Sequence, residues 1–370
     1  MREDTISLPV GRIIDGRYRV LHRLAGGSWS QVFVAEQIRT GQRVALKVLR
    51  PNLPIADHEA EDSFLREARH TARLQHPSTV RVFDVGRVHA GALYIASQLL
   101  EGPTLEAVFE DNESAGRSMT LSTLLPILEG LLGALGEAHA IGLVHRDVKP
   151  ANVVLHEVEG DSYAKLLDFG VAAVMRETGD GHRIVGSPET MSPEQCAGRR
   201  LDARSDLYAV ATVAFRAVAG RPVFEATTIG EMLLHHVHTP APDLRAVMQS
   251  PPPAWFCDWV ARGLAKRPSD RFPDATTMRE ALAGPTTVAV PYRSVSTRSI
   301  PRVELEVQEG VPTGRWRSTH DLTVGAGKLA TELDRSQAGE TARYRAVERS
   351  FAAPRRDLPG TYARSDVEGG

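Results

Sequence analysis

The sequence predicts an α+β fold in two parts, a smaller β-rich portion followed by a larger, mostly helical one. Three observations predict it. Up to about residue 100 the apolar residues come in short runs broken by turn residues, the mark of strands. After Gly102-Pro103 the apolar spacing changes to a helical period. From Leu207 to Leu282 the chain reads as a succession of helices. The break near Gly102 is the expected hinge between the two.

In order, Tyr18-Arg19-Val20-Leu21 leads through Leu24 and the small-residue turn Gly26-Gly27-Ser28 into Val32-Phe33-Val34-Ala35, a strand, a turn and a strand. Thr40-Gly41 marks a turn and residues 44–49 a third strand. Pro51 and Pro54 punctuate the chain after that strand. Residues 57–74 read as a helix, with acids early and arginines late as the helix dipole favours. Residues 79–85 and 93–100 read as two more strands. In the second portion, residues 121–140 have helical spacing, His145 to Asn152 form a polar loop, and 153–155 and 165–167 are short strands. Helices are expected over 207–219, 230–238, 255–265 and 275–282. Residues 285–370, rich in Ser, Thr, Arg, Gly and Pro without sustained apolar period, read as mostly disordered.

Composition narrows the function classes. At 370 residues with 42% hydrophobic and 24% charged, the chain is an ordinary globular protein with room for a large core. A formal net charge of -2 gives no reason to expect nucleic acid or an anionic membrane as partner. Cys196 and Cys257 cannot build a disulfide framework, and the charged start Met1-Arg2-Glu3-Asp4 has no apolar run behind it, so the cytoplasm is the expected compartment. No uninterrupted apolar run approaches the ~20 residues of a membrane span. The longest candidate, 209–219, carries Arg216 and reads as a buried core helix, so no membrane insertion is expected.

The chemistry concentrates in His145-Arg146-Asp147-Val148-Lys149-Pro150-Ala151-Asn152. Asp147 can accept or steer a proton, Lys149 can hold an anion, and Asn152 can bind a hard cation. Gly26-Gly27 could cradle phosphates, although alone it more often means an ordinary hairpin. Lys47 interrupts an apolar strand and lies either on a solvated face or in a cleft, paired with Glu67 of the next helix. Asp168, in Asp168-Phe169-Gly170, ends a strand; alone it is a turn former, but with Asn152 it supplies oxygen ligands for Mg2+ beside phosphate.

Glycine turn, strand lysine, helix glutamate, His-Arg-Asp loop, Asp-Phe-Gly and Ser192-Pro193-Glu194 follow one another in this order. In that order the sequence resembles the protein kinase family over about residues 18 to 283. Its wording is similar to bacterial Hanks-type serine/threonine kinases at Arg17-Tyr18, Val44-Ala45-Leu46-Lys47, His76-Pro77, Asp84-Val85-Gly86, Met191-Ser192-Pro193-Glu194-Gln195, Arg267-Pro268 and Arg271-Phe272. The resemblance implies the two-lobed protein kinase fold. A small antiparallel sheet with one main helix would span about 18–100 and a larger helical lobe about 103–283, flanked by an extension, 1–17, and a tail, 284–370.

It also implies function. The chain would transfer the ATP γ-phosphoryl group to protein Ser/Thr hydroxyls, in signalling with autophosphorylation. Mg2+ would serve, with Mn2+ as an alternative, and a transient homodimer would allow phosphorylation in trans. Lys47 would contact the α/β-phosphates, held by Glu67; Asp147 would orient the hydroxyl and take its proton; Lys149 would stabilise the transferring group; Asn152 and Asp168 would hold metal. Leu24, Gly26, Gly27, Val32 and Ala45 would frame the nucleotide, Ser97 would be the gatekeeper, and backbone groups of Gln98 to Leu100 would bond adenine. Arg146 would receive a phosphate on Thr178, and the Ser187 hydroxyl would bond Asp147 and Lys149. Glu194 would pair with Arg271, and Asp206 would tie a core helix to the catalytic-loop backbone.

Two departures stand out. The glycine pattern is reduced to Ala25-Gly26-Gly27-Ser28-Trp29-Ser30, which predicts a weaker grip on ATP. Thr190 stands where the family usually has an aromatic residue. The reduced loop motivates a second reading, a pseudokinase scaffold with weak or no transfer activity. Retention of Lys47, Glu67, Asp147, Asn152 and Asp168 argues against it.

Overall fold

The structure, a computed structural model, describes residues 8–26, 30–49, 65, 68–88, 92–158, 160–169, 187–284 and 295–296. The first portion is one six-stranded sheet: β1 Ile13–Ile14, β2 Tyr18–Gly26, β3 Ser30–Gln37, β4 Arg43–Leu49, β5 Val82–Arg87 and β6 Leu93–Gln98, in the order β1-β2-β3-β4-β6-β5. Every pairing within this sheet is antiparallel, and β1-β2, β2-β3, β3-β4 and β5-β6 are joined by short connections of the kind that such pairing allows.

The alternation of side chains sorts the sheet into two faces. Phe33, Ala35, Val44, Leu46, Val48, Tyr94 and Ala96 fill one buried cluster with Ile14, Tyr18 and Val20. The intervening residues Val32, Ala45, Lys47, Ile95 and Ser97 are only partly buried, and the register sets them side by side. That second face carries the residues expected around a nucleotide.

The sheet begins earlier than the expected boundary at residue 18. Ile13 and Ile14 pair with Arg19 and Tyr18 across a turn with positive φ at Asp15 and Gly16, and Ile14 is buried. Two residues are too few to show a period, so β1 is invisible in the sequence. The strand expected at 79–85 is β5, three residues later; Thr79 makes only an isolated bridge to Leu166. Of the helix expected over 57–74, residues 65 and 68–71 are helical and Leu74 lies past its end; the rest lies outside the described residues.

The second portion holds α1 Leu105–Ser114, α2 Leu121–Ala140, the hairpin β7 Val153–Val158 and β8 Asp161–Leu166, α3 Pro193–Cys196, α4 Ala203–Ala219, α5 Ile229–His238, α6 Leu244–Val247, α7 Ala254–Gly263 and α8 Ala275–Glu280. The helices α2 and α4 are the largest contributors to the core, with Leu124, Ile127, Leu128, Leu131 and Leu135 buried in one cluster with Leu207, Val210, Ala214 and Phe215. Each helix starts on a side-chain cap, Thr120 accepting from Thr123 N and Asp202 from Arg204 N, and α4 stops at Gly220 in the left-handed region.

Three expectations change. The longest apolar helix is α2, not 209–219; its length and composition would suffice to cross a bilayer, and here it is the buried centre of the helical lobe. Helix α1 was not expected: Thr104 caps it and Leu105, Val108 and Phe109 form its one buried face. Val295–Ser296, within the stretch read as disordered, forms β9 and pairs with Asp161 and Ser162 of β8. The remainder of 285–370 lies outside the described residues.

Candidate active site

The polar loop is held by one buried carboxylate. Asp206, in the first turn of α4, accepts the backbone N–H of His145 and of Arg146, each at 2.8 Å. His139 at the end of α2 approaches the same carboxylate at 2.8 Å. These bonds hold Arg146 at φ 68°, a conformation that costs a non-glycine residue energy and persists only when its surroundings fix it. Gln195 adds to the grip by donating its amide to the Arg146 carbonyl at 2.7 Å.

His145 is fully buried and links this loop to the next. Its Nδ1 accepts the Asp147 N–H at 3.3 Å, so Nε2 carries the proton and donates to the Leu167 carbonyl at 2.7 Å. Leu167 N–H in turn donates to Asn152 O, and Phe169 packs edge-on against the His145 ring. The stretch ending in Asp168 is therefore tied to the loop that carries Asp147.

Asp147 is the convergence point. Lys149 Nζ lies 2.9 Å from its Oδ2, and Asn152 Nδ2 donates to its Oδ2 at 3.0 Å and to its carbonyl at 2.8 Å. The other carboxylate oxygen, Oδ1, is buried without a hydrogen-bond partner among the described residues. A buried carboxylate oxygen left open is costly unless something donates to it.

Lys47 on β4 reaches across to Asp168 Oδ2 at 2.8 Å. Desolvation works against ionisation of Asp168, but the charge and hydrogen bond of Lys47 outweigh it, helped by His145 and Lys149, and its carboxyl titrates below the usual range. Asp168 sits at φ 58°, a second strained residue. Sheet and loop thus meet through this ion pair, while the pair expected between Lys47 and Glu67 falls on a residue outside the described ones. Glu67, Gly27 and Thr178 lie outside the described residues.

The remaining expected residues fall into place by element. Val32 and Ala45 share the face of Lys47, and Leu24, 53% exposed, sits at an irregularity of β2 beside the Ala25–Val32 pair. Gly26 ends β2 with the Arg23 guanidinium packed against it. Gln98 spends its N–H on Arg81 O, whereas no backbone partner engages the Leu100 N–H among the described residues. Ser187 shares cavities with Asp147 and with Lys149, but no hydrogen bond joins its hydroxyl to either among the described residues. Glu194 and Arg271 pair as expected at 2.7 and 2.8 Å. Sequence reasoning gave no structural role to His139, Gln195 or Arg216. For Arg216 the signal was there, a lone arginine in an apolar helix, which must find carboxylates if buried.

A curled antiparallel sheet over a helical lobe, with a cation-bearing strand facing an Asp-Lys-Asn loop, defines a phosphotransferase of the kinase type. The protein kinase domain pattern matches residues 18–283. The chain is 34% identical over 281 residues to the serine/threonine-protein kinase pkn3 of Myxococcus xanthus, covering 74% of this chain and 50% of that one. It is 32% identical over 352 residues to Pkn1 of the same organism, covering 93% and 49%. The crystal structure of the Mycobacterium tuberculosis PknI kinase domain, 30% identical, superposes with a TM-score of 0.59 over 75% of this chain and 98% of that one. The chain belongs to the protein kinase family, among its bacterial Hanks-type serine/threonine members. It spans about half the length of these two Myxococcus relatives. Protein kinase domains use ATP and a divalent metal ion and act on protein acceptors.

Proposed function

We propose that this chain is an active serine/threonine protein kinase that transfers the γ-phosphoryl group of ATP to protein hydroxyls. The observation that carries the reading is the state of Asp147. One of its oxygens is fixed by Lys149 and Asn152, and the other is buried and open. An acceptor hydroxyl donating to Oδ1 would be oriented for attack and would find its proton acceptor in place. Lys149, already at that carboxylate, would face the negative charge of the transferring group.

Asn152 and Asp168 suit a divalent ion. Asn152 spends Nδ2 on Asp147, which leaves its carbonyl oxygen for a cation, and Asp168 is held ionised. Mg2+, with Mn2+ as an alternative, would neutralise phosphate charge when bound. Lys47, held near Asp168, would position the α/β-phosphates. Arg146, whose Nε is buried without a partner among the described residues, would receive a phosphate placed on Thr178 by a second copy in a transient homodimer.

Retention of Lys47, Asp147, Asn152 and Asp168 in connected geometry disfavours a pseudokinase scaffold. The test is incorporation of labelled γ-phosphate from ATP into protein. The wild type should transfer and Asp147→Asn should lose about two to four orders of magnitude, the scale of positioned acid–base catalysis. Equal incorporation by both would reject the reading. Full activity of Thr178→Ala after phosphatase treatment would reject the activation step alone.

A further inference from the structure

His236, near the end of α5, is fully buried and closely held. The Tyr208 hydroxyl of α4 lies 2.9 Å from its Nδ1, and the rings of Tyr208 and Phe224 stand edge-on to the imidazole at 5.7 and 5.1 Å. Lys266 fixes the backbone that carries the ring. Its Nζ donates to the carbonyls of His236 and His235 at 2.8 and 3.2 Å, closing the last turn of α5, and lies over the Phe224 ring at 4.6 Å. A ring packed in this way has little freedom to turn toward another partner.

One polar atom of the ring is left over. Nε2 is buried and makes no hydrogen bond among the described residues. The backbone of the short turn Pro188–Thr190 faces it: the carbonyl of Glu189, and to a smaller extent that of Pro188, favours a proton on the ring, though neither meets Nε2 in hydrogen-bond geometry. Burial, and then the Lys266 cation, keep the imidazole neutral, so it carries one N–H. The facing carbonyls place that proton on Nε2, and Nδ1 then accepts from the Tyr208 hydroxyl. An N–H buried without an acceptor is costly, and the carbonyls that would relieve it belong to the turn.

The turn borders the reaction site. Thr190, and Ser187 just before the turn, line the same space as Asp147, whose Oδ1 is also buried without a partner among the described residues. Leu233 of α5 is buried with Met191 and Cys196, so the helix also packs against the residues that follow the turn. We propose that His236 is a positioning residue for phosphotransfer: its Nε2–H closes on the Glu189 carbonyl when an acceptor polypeptide lies over the turn, and Ser187 and Thr190 are thereby held beside Asp147. Tyr208 sets the tautomer that this contact needs, and Lys266 holds the end of α5 that carries the ring. The proposal rests on the reading of the chain as a protein kinase.

Two measurements on the full chain test it. The first is transfer to peptides with a single central serine, with kcat/KM for peptide and KM for ATP taken for each variant. His236→Phe keeps a ring but has no N–H, and should lower kcat/KM for peptide by about fivefold to tenfold, the worth of one neutral hydrogen bond, with KM for ATP unchanged. His236→Gln, whose amide can place an N–H where Nε2 stands, should recover most of that loss. Both variants lose the bond to Tyr208, so the difference between them reads Nε2 alone. The second is NMR of protein labelled with 15N in histidine, the signal being assigned with His236→Gln. The wild-type ring should carry its proton on Nε2, and Tyr208→Phe should move part of it to Nδ1 and lower kcat/KM for peptide. Adding the same peptides with Ala for Ser should shift the Nε2–H resonance downfield, as a new hydrogen bond does. Equal losses in His236→Phe and His236→Gln, a wild-type proton on Nδ1, or an Nε2–H resonance unmoved by every peptide overturn the role of His236. A resonance that moves with bound peptide while no peptide is phosphorylated overturns the kinase reading and leaves the contact between His236 and the turn standing.

Discussion

Arg271 and Glu194 form a closed electrostatic unit, with Nη1 and Nη2 donating to Oε1 and Oε2 at 2.7 and 2.8 Å and neither side chain more than 7% exposed. The remaining guanidinium N–H groups go to the carbonyls of Ala265, Arg204 and Lys266, and Ser205 donates to Glu194. All five donors of the fork are used, and the guanidinium lies over the Tyr208 ring. The unit anchors the capped turn Ser192–Cys196, from which Gln195 reaches the catalytic loop.

Removing one partner strands a buried charge. Arg271→Met should therefore destabilise the protein by about 3–5 kcal/mol in urea unfolding. The double variant Glu194→Gln/Arg271→Met should cost less than the sum of the singles, because the stranded charge is gone. A single variant within about 1 kcal/mol of wild type would show the pair to be dispensable.

Asp206 bears on the loop in the same way. Asp206→Asn keeps the shape but replaces a charged acceptor that serves His145 N, Arg146 N and His139. Hydrogen bonds to a charged group are worth about 1.5–3 kcal/mol each, so stability should fall by a similar amount. The strained φ of Arg146 should relax, and kcat for phosphotransfer should drop about tenfold or more while KM for ATP changes little, since the nucleotide-facing strands are untouched. A matched loss in KM and none in kcat would contradict a positioning role.

How much of this was readable in advance depends on where each element gets its stability. Strands β3 and β4 and helix α2 were legible because their own residues carry the period that buries them, Phe33, Leu46 and Leu131 among them. The loop residues Asp147, Lys149 and Asn152 were legible because that mix of charges in so few positions serves little else. By contrast β1 and α6 are too short to show a period of their own: Ile14 is buried with the sheet residues, and Leu244 in the large core. The Lys47–Asp168 pair was not read from the sequence, because it joins a strand to a loop much further along the chain and only the fold brings them together. The pairing of Arg216 with Glu106 and Glu113 was missed with α1 itself, because only three of its ten residues, Leu105, Val108 and Phe109, are buried.

Acid should weaken the fold through His236. This imidazole is fully buried, bonds the Tyr208 hydroxyl at 2.9 Å, and is pushed down to about 3 by burial and then by Lys266. It stays neutral in the fold while the unfolded chain takes up a proton near 6.5. Its contribution is thus complete above pH 6.5 and is lost as pH falls from there toward 3, at up to about 1.4 kcal/mol per unit. Glu194, depressed by Arg271 and Ser205 against its burial, adds acid sensitivity only below the ordinary carboxylate range, and His76, lowered by burial, acts in the same direction as His236. Urea unfolding between pH 6.5 and 5 should therefore show a shallower slope for His236→Phe than for wild type, even though the variant starts less stable. Parallel slopes would assign the acid sensitivity elsewhere.

The last prediction concerns the nucleotide itself. Ser97 on β6 pairs with Ala45 of β4 and Val82 of β5, on the sheet face that carries Lys47. With adenine bound at Gln98 to Leu100 as the resemblance implies, a small side chain at this position, the strand end before Gln98, would leave room behind the base that Met or Thr would fill. ATP analogues with a bulky N6 substituent should therefore be used with kcat/KM within about tenfold of ATP, and Ser97→Met should cut their use by about tenfold or more while sparing ATP, as expected when a pocket loses the volume of several methylenes. The ratio of the two nucleotides within each variant removes any effect of folding yield. Parent and Ser97→Met accepting the bulky analogues equally well would place the adenine pocket away from Ser97 and with it the hinge assigned to Gln98 and Leu100.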